Sequence, residues 1–313
     1  MRLDTQPSVG LALSGSGNRS TFYVGFLEGM DKANVPIHYI AACSGGSLVA
    51  AAYGAGKLQE FKEIILHLNS KNLKGFVESS KTRSGLYTLA PFEQKLRLLF
   101  NGLTFEEAKP KMAFAAVDID NGEEVVLCMG DVARAACISC SVPGLFEPAL
   151  WGNKILVDGG LLNIVPINLL NQAGLDITIG INVRGAKRIF GQQQLSVKKF
   201  FNWAKKILPI ESMETLLDKI FNKSTEDFGS TNYERGVLEI LGKSLDVAMW
   251  ANKKSPEIDP CDYLIDLDLP KITYFSFTPE TLKFYYEEGL KQAQVHAPKI
   301  LELIKKKSKF SAS

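Results

Sequence analysis

Residues 39–52 read YIAACSGGSLVAAA, an apolar run of strand length that is followed by a serine and then by a helix of small residues. A serine at such a sharp strand-to-helix turn exposes its hydroxyl, and the turn leaves little room for side chains two positions before and after it. Those positions are Ala42 and Gly46, so the pattern around Ser44 is A-x-S-x-G. The stretch predicts an α/β fold in which Ser44 is a candidate nucleophile.

A glycine-rich turn lies upstream of this stretch. Residues 14–20 read SGSGNRS and separate the apolar run 9–13 from an amphipathic helix that begins near Phe22. A turn of this kind before a helix presents backbone N–H groups, and the helix dipole favours negative charge there. The turn is therefore suited to hold a phosphate or a developing oxyanion.

A third segment lies downstream, where the apolar strand pattern 154–157 ends at Asp158. Gly159 and Gly160 then let the chain turn away without crowding the carboxylate. Ligands of open α/β sheets bind outside the carboxyl ends of the strands. We therefore expect the turn, the hydroxyl and the carboxylate to meet in one region.

The histidines argue against a Ser-His-Asp triad. The chain has three, at positions 38, 67 and 296, and none follows an acidic residue in a strand-end loop. Asp158 would then act on Ser44 directly, as the base of a two-residue nucleophilic site.

These motifs, in this order, resemble the patatin-like phospholipase family and the related catalytic core of cytosolic phospholipase A2. The resemblance covers roughly residues 8–183 and includes the segments SCSVPGLF (139–146) and LLNIVPI (161–167). It implies a three-layer α/β sandwich with a mainly parallel central sheet and helices on both faces. The sequence departs from the family at Ala42 and Ser16, where glycine is usual.

The resemblance also assigns roles to individual residues. Asp158 takes the proton as Ser44 attacks an ester carbonyl, and the acyl group stays on Ser44 until water releases it. The remaining assignments are Gly15, Ser16 and Gly17 to the oxyanion hole; Asn18, Arg19 and Gly45 to support of the loop or substrate; and Ala42, Gly46, Gly159 and Gly160 to the two turns. Arg19 either orients the loop or meets a lipid phosphate. No metal or cofactor is required.

Each element also has a simpler interpretation. Ser44 is compatible with a tight strand–helix crossing, and Asp158 with an ordinary Asp-Gly turn. The glycine-rich turn lacks the third glycine and the acidic residue of a dinucleotide site, and it lacks the Gly-Lys-Ser/Thr of a P-loop. Cys137 and Cys140 form a C-x-x-C without a second pair or nearby histidines, which argues against zinc.

The function that these motifs favour is a serine lipid acyl hydrolase acting on membrane phospholipids or other fatty-acyl esters. Two alternatives remain open: a soluble general carboxylesterase, and a non-catalytic lipid-binding scaffold that keeps the fold. A net charge of +2 on 313 residues argues against nucleic acid as a partner. Five cysteines without regular spacing argue against a disulfide framework.

The sequence shows neither a signal peptide nor a membrane-spanning segment, so a cytoplasmic enzyme is expected. We expect one hydrolase domain over residues 1–313, with a helical insertion or cap, rich in lysine and aromatic residues, at about 186–256. Within it, residues 197–208 form a basic amphipathic pattern. That pattern suits peripheral membrane contact, a helix packed on the core with a solvated lysine face, or a cap over the site.

Overall fold

A computed structural model describes residues 6–69, 72, 75–82, 84–183, 244, 259–269 and 277–311. The proposed membrane-contact pattern at 197–208 lies outside the described residues, as does the rest of the 186–256 insertion apart from residue 244. None of the helices in the described part combines the length and the apolar character needed to cross a bilayer.

The described residues form eleven strands and seven α-helices. The strands are β1 (Val9–Leu13), β2 (Tyr39–Cys43), β3 (Glu78–Ser79), β4 (Gly85–Thr88), β5 (Lys111–Asp118), β6 (Glu123–Leu127), β7 (Gly144–Phe146), β8 (Ala149–Trp151), β9 (Lys154–Asp158), β10 (Ile177–Asn182) and β11 (Tyr263–Asp266). The helices are α1 (Thr21–Lys32), α2 (Gly45–Gly54), α3 (Leu58–Leu66), α4 (Ala90–Leu99), α5 (Val132–Ser139), α6 (Ile167–Gln172) and α7 (Pro279–Ser311).

The central sheet has the order β11-β10-β1-β2-β5-β9-β8, and β6 pairs with β5. The five strands from β11 to β5 are parallel. β6 and β9 run antiparallel to β5, and β8 runs antiparallel to β9. The predicted mainly parallel sheet is therefore confirmed, and β3, β4 and β7 form a second, three-stranded sheet.

Side chains of the parallel strands alternate between two cores, as strand geometry requires. Leu11 and Leu13 face a large cluster to which α1–α5 and α7 contribute. Ala12 and Ala41 face a smaller cluster closed by α6. Helices thus cover both faces of the sheet, and the predicted three-layer α/β architecture is confirmed.

The register explains how β2 and β9 come together. β2 pairs with β5 as far as Cys43 opposite Ala115, and β9 pairs with β5 from Leu156 to Asp158, opposite Ala116. Because β6 occupies the other edge of β5, β2 and β9 must share one edge. They run towards each other along it, and their carboxyl ends meet.

The direction of β9 is a feature that the sequence motifs do not specify. As expected, Asp158 lies at the carboxyl end of its strand. β9 is antiparallel to β5, however, and Asp158 reaches Ser44 because β2 and β9 meet end to end on the same neighbour.

Glu28 links three helices and makes acid stability testable. On α1, it accepts hydrogen bonds from Lys32 (2.7 Å), Tyr286 of α7 (2.9 Å) and Lys62 of α3 (3.2 Å). Burial by itself raises the pKa of Glu28, but the hydrogen bonds outweigh burial and lower that pKa to about 2.

We expect Glu28 to stabilise the fold fully above pH ~4.5, its unfolded-state pKa, with that stabilisation lost as the pH falls towards 2. The loss should be on the order of 2 kcal/mol of unfolding free energy. Urea unfolding of the wild type and Glu28→Gln at pH 6 and pH 3 measures it. A wild-type advantage that does not shrink at pH 3 would contradict the assignment.

Candidate active site

Ser44 occupies a strained turn between β2 and α2. Its φ is 49° and its ψ is −128°, a region that side-chain-bearing residues rarely enter and that costs about 1–3 kcal/mol. Such strain persists where the surrounding structure enforces it. The turn holds the Ser44 side chain at the point where β2 and β9 meet.

Close packing around the turn explains the small residues beside Ser44. A Cβ on Gly45 would lie 2.9 Å from the carbonyl oxygen of Gly17, and one on Gly46 would lie 2.9 Å from that of Leu13. Both glycines therefore let α2 begin directly against β1 and its loop. Ala42 is fully buried in the larger core, where its methyl group is accommodated.

Ser44 and Asp158 are in direct contact. The Ser44 Oγ donates a hydrogen bond of 2.6 Å to Oδ2 of Asp158. The other carboxylate oxygen accepts the N–H of Gly160 at 2.8 Å, so one oxygen is held by the backbone and the other faces the serine. Asp158 is only 6% exposed.

The two glycines after Asp158 are required by contact. A Cβ on Gly159 would lie 2.4 Å from the carbonyl oxygen of Ala115, and one on Gly160 would lie 3.0 Å from Oδ1 of Asp158. Any side chain at Gly159 would push β9 away from β5. The Asp-Gly-Gly sequence is thus suited to this strand junction.

The loop after β1 reaches the serine through Gly15. A Cβ there would lie 3.1 Å from Cβ of Ser44 and 2.9 Å from Cδ1 of Ile164. The Gly15 N–H already donates to the carbonyl oxygen of Ile164 at 2.9 Å. This corrects the expectation that Gly15 is an oxyanion donor: in this conformation its N–H anchors the loop.

The other two predicted donors differ from Gly15. Among the described residues, the N–H groups of Ser16 and Gly17 make no hydrogen bond. Gly17 has a φ of 58° and begins a short 3-10 helix, Gly17–Ser20, that leads into α1. Ser16 and Gly17 therefore remain candidate donors to an oxyanion.

Arg19 and Asn18, at the end of the glycine-rich turn, are buried and do not lie at the surface. Arg19 is 1% exposed and its Nη1 donates to the carbonyl oxygen of Val183 at 3.3 Å. Asn18 is 2% exposed, and its carbonyl oxygen accepts the hydroxyl of Thr21. Burial of the guanidinium fits the loop-orienting role and does not fit contact with a lipid phosphate.

The side chains of the three histidines make their hydrogen-bond contacts away from the site. Nδ1 of His38 accepts the N–H of Val9, His67 contacts the carbonyl oxygen of Glu63, and His296 contacts the hydroxyl of Tyr263. None of these contacts involves Ser44 or Asp158. Within the described residues, no three histidine, cysteine, aspartate or glutamate side chains are grouped to hold a metal ion.

Cys140 lies close to the site, near Ser47. Burial raises the pKa of its thiol, and the charge of Asp158 adds to the effect. Burial also raises the pKa of Cys137. Both thiols stay protonated at neutral pH, so neither competes with Ser44 as a nucleophile.

Sequence reasoning missed the helix that backs the site. The hydroxyl of Ser139, the last residue of α5, accepts the N–H of Ser44 at 2.9 Å. The carbonyl oxygen of Ser141, two residues on, accepts the N–H of Asp158 at 3.0 Å. The available signal was the pair of serines just before Val142-Pro143-Gly144.

Known proteins are similar to this chain in sequence. The patatin-like phospholipase family matches residues 11–171. An uncharacterised NTE family protein of Mycobacterium tuberculosis is 24% identical over 187 residues, which are 60% of this chain and 52% of that protein. The lysophospholipase NTE1 of Debaryomyces hansenii is 24% identical over 190 residues, 58% of this chain and 12% of that protein.

The fold has a counterpart among solved structures. Human GIVD cytosolic phospholipase A2 superimposes with a TM-score of 0.50 at 12% identity, covering 99% of this chain and 62% of that one. The chain spans about half the length of the mycobacterial relative that it matches. The family match covers just over half of this chain and contains Gly15, Ser44 and Asp158. The chain belongs to the patatin-like phospholipase family.

Proposed function

We propose that this chain is a serine lipid acyl hydrolase that cleaves fatty-acyl esters, with phospholipids as the preferred substrate class. The observation that carries the proposal is the 2.6 Å hydrogen bond from Ser44 to Asp158 at a strained strand–helix turn. A hydroxyl held against a carboxylate is the arrangement of a nucleophile with its base. Family membership and the name of the Debaryomyces relative, a lysophospholipase, support the lipid substrate.

The proposed reaction has two halves. Asp158 accepts the hydroxyl proton as Ser44 Oγ attacks the ester carbonyl, and the N–H groups of Ser16 and Gly17 stabilise the oxyanion. As the tetrahedral intermediate collapses, Asp158 returns the proton to the leaving alcohol and the acyl group remains on Ser44. Asp158 then takes a proton from water as that water attacks the acyl ester. When the second tetrahedral intermediate collapses, Asp158 returns the proton to Ser44 Oγ, the fatty acid leaves and both residues are restored.

The hydrogen bond from Gly160 supports this role for Asp158. It fixes the carboxylate through Oδ1, so Oδ2 needs no rearrangement to accept the proton. A base that is already within hydrogen-bond reach of the nucleophile meets the first requirement of general base catalysis. No cofactor or metal takes part in the proposed steps.

Membrane contact belongs to the same proposal. Phospholipids are presented in aggregates, so the enzyme should bind peripherally, through the basic pattern at 197–208, and act from the cytoplasmic side. A general carboxylesterase would share the chemistry without needing an interface. A non-catalytic scaffold would bind lipid and release no fatty acid.

The decisive assay measures fatty-acid release from phosphatidylcholine vesicles, beside hydrolysis of p-nitrophenyl butyrate. We expect the rate on a short-chain phospholipid to rise steeply when its concentration passes from monomers to micelles. A rate that saturates smoothly below the micelle threshold would favour the carboxylesterase. Failure to react with a serine-directed fluorophosphonate, together with no turnover, would favour the scaffold.

A further inference from the structure

One helix end contacts both members of the Ser44–Asp158 pair. The turn that ends α5 accepts the N–H of Ser44 through the hydroxyl of Ser139 and the N–H of Asp158 through the carbonyl oxygen of Ser141. Ser44 and Asp158 are 114 positions apart in the chain and lie at the carboxyl ends of two different strands. The α5 turn therefore holds the backbone amides of Ser44 and Asp158 in position relative to each other.

The Ser139 hydroxyl also connects β5 to the turn at Ser44. It donates to the carbonyl oxygen of Ala115 at 2.7 Å while it accepts the N–H of Ser44. Ala115 is the last residue of β5 that pairs with β2. After Cys43 the chain leaves the sheet in the strained turn at Ser44. The Ser139 hydroxyl therefore bridges the N–H of Ser44 and the carbonyl oxygen of Ala115, which a regular parallel ladder would join directly.

This bridge is fully enclosed. Ser139 is 0% exposed, and buried backbone groups left without a partner are costly. Without the hydroxyl, the N–H of Ser44 and the carbonyl of Ala115 would both lose their bond. The turn at Ser44 would then lack the hydrogen bond that fixes its amide relative to β5. The residue of β5 after Ala115 is Ala116, which pairs with Asp158.

We propose that Ser139 is a positioning residue for the reaction: it fixes the backbone of Ser44 so that the hydroxyl meets Asp158 and the substrate carbonyl in line. This inference rests on the proposed function. A displacement of about 1 Å in a reacting group can lower a rate roughly 100-fold. Ser139 touches neither substrate nor proton, so its effect should appear in kcat and leave KM unchanged.

The test compares Ser139→Ala, Ser139→Cys and Ser139→Thr with the wild type and Ser44→Ala. Hydrolysis of p-nitrophenyl butyrate gives kcat and KM, and fluorophosphonate labelling gives the reactivity of Ser44 directly. We expect Ser139→Ala to lower kcat and the labelling rate about 10- to 100-fold with KM unchanged. Ser139→Thr, which keeps the hydroxyl, should recover most of the loss.

Thr178→Val is a matched control, because it removes a buried hydroxyl, bonded to Asp262, from the opposite end of the sheet. It should keep wild-type kcat even where it lowers the melting temperature as much as Ser139→Ala does. Ser139→Cys nearly preserves volume and decides the question if Ser139→Ala does not fold.

The outcomes separate the two proposals. An active wild type whose Ser139→Ala and Ser139→Cys variants keep full kcat and labelling would overturn the positioning role alone. Equal losses in Ser139→Ala and in a Ser139→Thr variant that melts at the wild-type temperature would overturn it as well, because a retained hydroxyl without overpacking would then not restore the rate. An inert wild type, or an active Ser44→Ala, would overturn the proposed function and this inference with it.

Discussion

Asp158→Asn is expected to lower kcat by about 10³-fold or more while the protein stays folded. Asparagine has nearly the same shape, and its carbonyl oxygen can still accept the N–H that Gly160 donates to the carboxylate. It cannot accept the hydroxyl proton of Ser44 at neutral pH, so the nucleophile loses its base. Ser44→Ala should reduce activity to background, because no other nucleophile replaces the hydroxyl.

Asp118→Asn provides the matched control. Asp118 is a buried aspartate on β5, 1% exposed, and its carboxylate accepts hydrogen bonds from Asp120 and Asn121. Its substitution should leave kcat within about threefold of the wild type. Steady-state hydrolysis, beside melting curves for all variants, gives the comparison. Hydrolysis that persists in both Asp158→Asn and Ser44→Ala would show that another residue is the nucleophile.

The sequence was sufficient to predict much of the central sheet. The apolar patterns at 113–119, 124–128 and 177–183 predict strands. The observed strands lie at Lys111–Asp118, Glu123–Leu127 and Ile177–Asn182. The Asn121-Gly122 turn between the first two was recognisable because glycine takes the positive φ that a tight hairpin needs, here 66°. Continuous apolar runs and glycine turns are local signals, and local signals are what a single sequence carries best.

Local sequence signals do not reveal in which direction β9 runs. An apolar run ending in Asp-Gly-Gly looks the same in a parallel and in an antiparallel strand, and only the pairing with β5 settles it. Asp158 lies near Ser44 as predicted, at the end of a strand whose direction the motif does not specify. Pairing depends on residues that are distant in sequence from the motif, here those of β5.

The loop and the α5 turn show the same limit. A glycine-rich turn announces available N–H groups, but it does not show that Ile164 accepts the N–H of Gly15. An arginine beside a glycine-rich turn is a typical phosphate ligand, but Arg19 is buried in the folded protein. Ser139 acts through a hydroxyl that bridges two strands, and its role is visible only once three elements are placed together.

Gly289→Ala in α7 is expected to destabilise the fold by about 2 kcal/mol. Helix propensity alone predicts the opposite sign, since alanine in a helix interior is about 1 kcal/mol better than glycine. The contact with α1 decides the matter. A Cβ on Gly289 would lie 2.0 Å from the carbonyl oxygen of Phe22 and 2.8 Å from the N atom of Phe26.

The clash cannot be relieved cheaply, because both contacted atoms belong to the backbone. The opposite helix has the same requirement: a Cβ on Gly25 of α1 would lie 2.1 Å from the carbonyl oxygen of Tyr286. α1 and α7 therefore touch backbone to backbone, and a single methyl group must push them apart. Urea unfolding of Gly289→Ala and Gly25→Ala measures the cost.

Gly54→Ala is the matched control, since Gly54 is also helical but its nearest neighbours are the sulfur and terminal methyl of Met112, both at 2.7 Å. A flexible side chain can move aside, so this variant should change stability by less than about 1 kcal/mol. Equal losses at Gly54 and Gly289 would contradict the backbone-contact explanation. Activity should fall with stability at Gly289, because α1 follows directly from the Gly17–Ser20 turn and its displacement would carry Ser16 and Gly17 away from Ser44.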